Sequence, residues 1–181
     1  MNIFVDGASR GNPGPAAIGI HVVYPDGHTG DRMGVVHLGQ RSKLTNNEAE
    51  YLAVFHALKL ANQRGWKEVA IHTDSKLVFH QLHNRWKITV PNLKRLKDLI
   101  IALANGGDTN VLFDWVSREE EHMRIADKLC NRVLDLGGGI INMPEWNHDL
   151  SKPLRYEVID KVKLDKTKHL DVDPDDLTEV D

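Results

Sequence analysis

The spacing of apolar residues changes period near residue 45, and that change limits what the chain can fold into. Between Ala16 and Tyr24, the residues Ile18, Ile20, Val22 and Tyr24 recur at every second position, as in a strand with one buried face. After Thr45, the residues Ala49, Leu52, Ala53, His56, Ala57 and Leu60 recur at three- and four-residue intervals, as in a helix. Around these two segments the pattern predicts a first strand over Asn2–Val5 and a third over His28–Leu38, with Gly34 as a bulge. A fourth strand is expected over Lys67–Thr73 and a fifth over Val111–Val116. Thr45-Asn46-Asn47-Glu48 has the form of a capping box and Gly65 ends that helix. Short helices are expected from Ser75 and from Pro91, and Ser117–Glu120 repeats the capping form before a helix to about Leu134. Strands joined by short links, then alternating helices and strands, imply an α/β fold: a five-stranded mixed sheet with helices packed on it.

The periodicity fades after Gly137-Gly138-Gly139, so residues 1–135 are expected to form one domain and 136–181 a tail, partly docked and acidic at its end. The formal charge of −3 hides this division. Met1–Pro144 holds 17 basic and 15 acidic residues, whereas Glu145–Asp181 holds 6 and 11. No run approaches the roughly 18 apolar residues of a membrane span, and the N-terminus shows no secretory pattern. The single cysteine, Cys130, excludes an internal disulfide and fits a reducing, cytoplasmic compartment.

Four carboxylates stand out by position. Asp6 is expected at the end of the first strand, Glu50 in the first turns of the long helix, Asp74 at the end of the fourth strand and Asp127 in the last helix. Such acids, distant in sequence, can supply oxygen ligands for Mg²⁺. Singly each has a plainer explanation: Asp6-Gly7 as a turn, Asp74 as a helix cap, Glu50 as a solvated charge.

In combination they resemble ribonuclease H type 1. The resemblance rests on Asp6-Gly7-Ala8, Gly11-Asn12-Pro13-Gly14-Pro15, Thr45 to Glu50, Thr73-Asp74-Ser75 and Ala126-Asp127, in order over about residues 1–135. It implies the ribonuclease H-like fold, with three antiparallel strands and then parallel ones. It also implies an endonuclease that hydrolyses the RNA strand of RNA–DNA hybrids with two Mg²⁺ (or Mn²⁺) ions, leaving 5′-phosphate and 3′-hydroxyl ends. Asp6, Glu50, Asp74 and Asp127 would be the catalytic metal ligands, Glu50 being preferred to Glu48 because Glu48 is already the capping-box partner. Asn12, Asn46 and Asn47 match positions that contact the hybrid, and Thr45 one that helps hold a DNA phosphate. Lys76 stands where relatives often carry Gln. Trp86 is a candidate stacking residue, followed by the basic residues Lys94, Arg95 and Lys97. His122 is the only candidate for an auxiliary His that assists proton transfer or product release.

Cys130 and the scattered His56, His72 and His80 read as packing or surface residues. A monomer is expected, with a protein partner for the tail as an open role. The alternatives are a binding module without catalysis and a nuclease of the same fold that cuts double-stranded RNA.

Overall fold

The structure is a computed structural model that describes residues 1–38 and 41–136. In chain order the elements are β1 (Asn2–Ser9), β2 (Gly14–Val23), β3 (Thr29–Val36), β4 (Lys43–Leu44), α1 (Asn46–Arg64), β5 (Glu68–Thr73), α2 (Lys76–Leu82), α3 (Pro91–Gly106), β6 (Asn110–Trp115) and α4 (Glu121–Asp135). The main sheet runs β3-β2-β1-β5-β6. Its first three strands are antiparallel, and β1, β5 and β6 are parallel, as expected. The two-residue β4 pairs with Gly14 and Pro15 and is too short to show a period.

Period-two alternation gives the sheet two different faces. Ile3, Val5, Ile18, Ile20, Val22, Val69 and Ile71 point to one face and form the main core with α1. Phe4, Ala17, Met33 and the intervening polar residues point to the other, where α4 packs through Met123, Ala126, Leu129, Cys130 and Val133. The single stripe expected of α1 is too narrow. Tyr51, Val54, Phe55 and Leu58 are buried as well, because α1 lies between the sheet and α3.

Local capping signals fared differently at the two helices. The Thr45 hydroxyl accepts from the Glu48 amide and the Glu48 carboxylate accepts from the Thr45 amide, completing the expected box. At α4 the cap is Glu120, whose carboxylate accepts from the Met123 amide, and Ser117 sits in a turn before it. Gly34 is no bulge, since it stands opposite Ile18 in an unbroken register. The expected tail lies outside the described residues apart from Leu136. Among the described residues no helix is long and apolar enough to cross a membrane.

The largest correction concerns β1. It does not stop at Val5 but runs through Ser9, so Asp6 lies within a strand opposite Gly19, and Asp6-Gly7 is not a turn. Gly7 is required for another reason: a Cβ there would fall 2.3 Å from the carbonyl carbon and oxygen of Ala49. Gly7→Ala should therefore cost about 2–3 kcal/mol of stability, read by urea unfolding, because backbone must move to admit the methyl. Wild-type stability in that variant would show that α1 does not press on β1.

Candidate active site

Two glycines bring two helices onto the middle of the sheet beside Asp6. The absent Cβ of Gly7 admits Ala49 and the Glu50 amide of α1. That of Gly19, the cross-strand partner of Asp6, admits the Ala126 carbonyl of α4 at 2.2 Å, one residue before Asp127. The parallel strand β5 ends alongside, and Asp74 follows its last residue. Thus the four acids, spread over more than 120 residues of sequence, meet around one strand.

Each carboxyl feels the charge of its neighbours. Asp6 is 4% exposed, and its Oδ2 is buried without a hydrogen-bond partner. Burial, then Asp74 and Asp127, push its carboxyl up to about 6, against the opposing pull of Arg118 and Cys130. Burial likewise pushes Glu50 up to about 7, with Asp74 and Asp6 adding to it and Ser75 and Arg118 opposing. Glu50 accepts from the Asn46 side-chain amide at 3.1 Å. Arg118 Nε donates to Asp74 Oδ2 at 2.9 Å and is itself held more firmly protonated by Asp74, Asp6 and Asp127. Among the described residues, no three His, Cys, Asp or Glu side chains already stand around one ion position.

Glu48 and Glu50 have separate fates. Both oxygens of Glu48 are committed: Oε2 to the Thr45 amide and hydroxyl, Oε1 to Arg41 at 2.9 Å and Asn92 at 3.1 Å. Burial alone would raise its carboxyl, but these donors outweigh burial and hold it low. Glu50 keeps only the lighter contacts given above.

The remaining expected residues divide into groups. Asn12 accepts from the Asn46 amide at 3.1 Å, and the Asn46 side chain accepts from Ser9, so the 9–14 turn is tied to the start of α1. Thr45 is half-buried and Asn47 exposed beside them. Lys76 lies on the other side of Asp74, with its ammonium 5.1 Å from the ring centre of Trp115. Trp86 is farther along, 47% exposed and stacked on His80 at 4.4 Å. His122 turns to β1 and β2, where its Nδ1 meets His21 Nε2 and its ring meets Phe4.

Two neighbours of Asp74 were not anticipated. Arg118 holds its carboxylate, and the Trp115 indole donates to its backbone carbonyl at 3.0 Å. Arg118 was hidden inside the misleading Ser117–Glu120 capping pattern. The available signal was its place just after a strand that ends beside Asp74.

A sequence profile described as "Reverse transcriptase-like" matches residues 4–133. Ribonuclease H of Rhizobium meliloti is 33% identical over 146 residues, covering 75% of this chain and 90% of that protein. The chain belongs to the ribonuclease H family. Ribonuclease HI of Halobacterium salinarum is 37% identical over 143 residues, covering 75% of this chain. The chain spans 64% of that relative's length. Among solved structures, LC11-RNase H1 in complex with RNA/DNA hybrid superposes with a TM-score of 0.66 at 32% identity, covering 75% of this chain and 97% of that one.

Folded Asp6 and Glu50 keep their protons to higher pH than unfolded carboxyls, which titrate near about 4. The native state therefore binds more protons across that window, and without divalent ions these groups cost stability as pH rises through it. Asp6→Asn should gain on the wild type with increasing pH, by about 2 kcal/mol at pH 8, in ion-free unfolding experiments. A difference that is constant or shrinks with pH would contradict the burial of a charged Asp6.

Proposed function

We propose that this protein is an endoribonuclease that hydrolyses the RNA strand of RNA–DNA hybrids, leaving 5′-phosphate and 3′-hydroxyl ends. The observation that carries the reading is the meeting of four carboxylates at Asp6, whose buried Oδ2 has no partner. A carboxylate oxygen in that state calls for a cation. The donor set is all oxygen, which suits Mg²⁺ or Mn²⁺ better than a thiophilic metal.

When bound, two such ions supply an activated water and neutralise charge on the leaving oxygen. In this chain Asp6, Glu50, Asp74 and Asp127 would hold them. The committed hydrogen bonds of Glu48 support Glu50 in this role. Arg118, which donates to Asp74 Oδ2, would have to share that carboxylate with a bound ion. Asn12, Asn46 and Asn47, beside Glu50, would face the sugars and bases of the hybrid, where the 2′-hydroxyl distinguishes RNA. Thr45 would hold a phosphate of the DNA strand. Lys76 would offer charge to the backbone and Trp86 a stacking surface. His122 is joined to His21, so we assign it an indirect part. We also read the protein as a cytoplasmic monomer, with residues 136–181 open to a protein partner. The single, buried Cys130 supports the compartment, and a ligand set drawn from one chain supports the monomer.

The test is a cleavage gel with labelled RNA–DNA hybrid, RNA duplex and single-stranded RNA, each with Mg²⁺ or Mn²⁺. Hybrid cleavage is expected, and Asp6→Asn should lose more than the roughly 10–100-fold typical of altered outer-shell contacts. Full activity in Asp6→Asn, or no cleavage by the wild type, would overturn the assignment. Lys76→Ala should weaken hybrid binding and lower the slope of log affinity against log salt by about 0.7–0.9. An unchanged slope would remove Lys76 from the interface.

A further inference from the structure

A single rung of facing residues crosses all five long strands. It reads Asp31 on β3, His21 on β2, Phe4 on β1, His72 on β5 and Asp114 on β6. The face is the one that α4 covers, and His122 in the first turn of α4 stands over it. His21 is only 2% exposed. Its Nδ1 lies 2.5 Å from Asp31 Oδ1 and its Nε2 lies 3.1 Å from His122 Nδ1. The Phe4 ring centre is 5.0 Å from that of His122 and 4.6 Å from that of His72. His72 in turn faces Asp114 at 3.3 Å and the Asn2 side chain at 3.2 Å. Asp31 of β3 thus faces His21 directly, while beyond Phe4 stands His72 of β5, whose own charged neighbours are Asp114 of β6 and Glu120 of the α4 cap.

The His21–His122 geometry fits a shared proton. The two ring centres are 5.2 Å apart and the planes differ by 18°. Two ring radii and the 3.1 Å gap together slightly exceed that separation, as they do when the nitrogens face each other close to in line. Two ligands of one metal ion would converge at an angle instead. Asp31 accepts from Nδ1–H of His21, which fixes the tautomer. A neutral His21 then accepts at Nε2 from His122 Nδ1–H. One added proton makes His21 the donor to both neighbours, and the chain is still complete. A second added proton would set N–H against N–H.

We propose that His21 and His122 are positioning residues: the Asp31–His21–His122 chain latches the first turn of α4 to β2, and it opens when both imidazoles are protonated. Asp127 lies five residues further along α4, about 7.5 Å up the helix axis, so the latch fixes the height of that carboxylate above Asp6. Its consequence for cleavage rests on the function proposed above, whereas the latch itself does not.

Asp31 favours the first added proton and the chain stays whole, whereas the second sets N–H against N–H, so the latch's contribution to stability is lost only at the acid end of the range. That sign is opposite to the effect of Asp6 and Glu50, which allows the two to be separated. The experiment uses the full chain without divalent ions, with the His21→Phe/His122→Phe double variant, which removes both imidazoles and leaves Asp31, a partly exposed carboxylate, to water. Thermal midpoints are followed from about pH 8 to about pH 5.5. Imidazole ¹⁵N spectra of the wild type are recorded over the same range, with kcat and KM on hybrid in a parallel ion-loaded series.

The wild type should lose stability relative to the double variant at the acid end of that range, where the second proton binds. Its His21 Nε2 and His122 Nδ1 should give hydrogen-bonded signals near neutrality that are lost at acid pH. Its kcat should drop about threefold more than that of the double variant, with KM changing alike in both. Parallel stability curves, or ¹⁵N signals of two independent, solvent-bonded imidazoles, would overturn the latch. The spectra answer even if the double variant does not fold, and both physical readouts are independent of hybrid cleavage.

Discussion

A carboxylate buried on a central strand has to be stabilised by something, and Asp6 has less protein to do it than most. It lies on β1, with β2 on one side and β5 on the other, and Oδ2 meets no donor. Removing a charge from water without a partner is costly, and the group responds by holding its proton. The surrounding structure sharpens this cost. Gly7 and Gly19 let α1 and α4 close upon the strand, and those helices bring Glu50 and Asp127 toward Asp6. Bound cations would relieve this cost, which is why the cluster supports the metal-dependent reading proposed above.

The two sheet faces divide the work. The α1 face is apolar and continuous, and it carries most of the core. The α4 face mixes a smaller apolar contact with Asp6, Asp127 and the Asp–His–Phe–His–Asp rung. Hydrophobic burial on the first face offsets the cost of collecting polar groups on the second. The closeness of Arg118 to three of the acids shows the same pressure at the rim.

What could be read from the sequence was mostly what short range decides. The Thr45–Glu48 box is closed within one helical turn, and the alternation of Ile18, Ile20 and Val22 needs only a strand. Local signals failed where tertiary contact overrode them. Asp6-Gly7 has the form of a turn, yet the glycine is there so that α1 can approach. Ser117–Glu120 has the form of a capping box, yet the helix begins at Glu121. The rung was out of reach for a different reason. Asp31 and His21 are ten residues apart, but His21 and His122 are 101 apart, and only strand register and the seating of α4 bring them together. The four acids were legible only because they occur together, in order, in a pattern that resembles a family.

The most direct test of this account is the titration of the Asp6 and Glu50 side-chain carboxyls by ¹³C spectroscopy, with and without Mg²⁺. Without the ion, both should titrate between about pH 6 and 7, well above an ordinary carboxylate. With Mg²⁺ both should remain ionised far below that range, because ion and proton compete for the same oxygens. Ordinary titration near about pH 4 in the ion-free protein, unmoved by Mg²⁺, would contradict the claim that a buried Asp6 with an unpartnered Oδ2 organises the site.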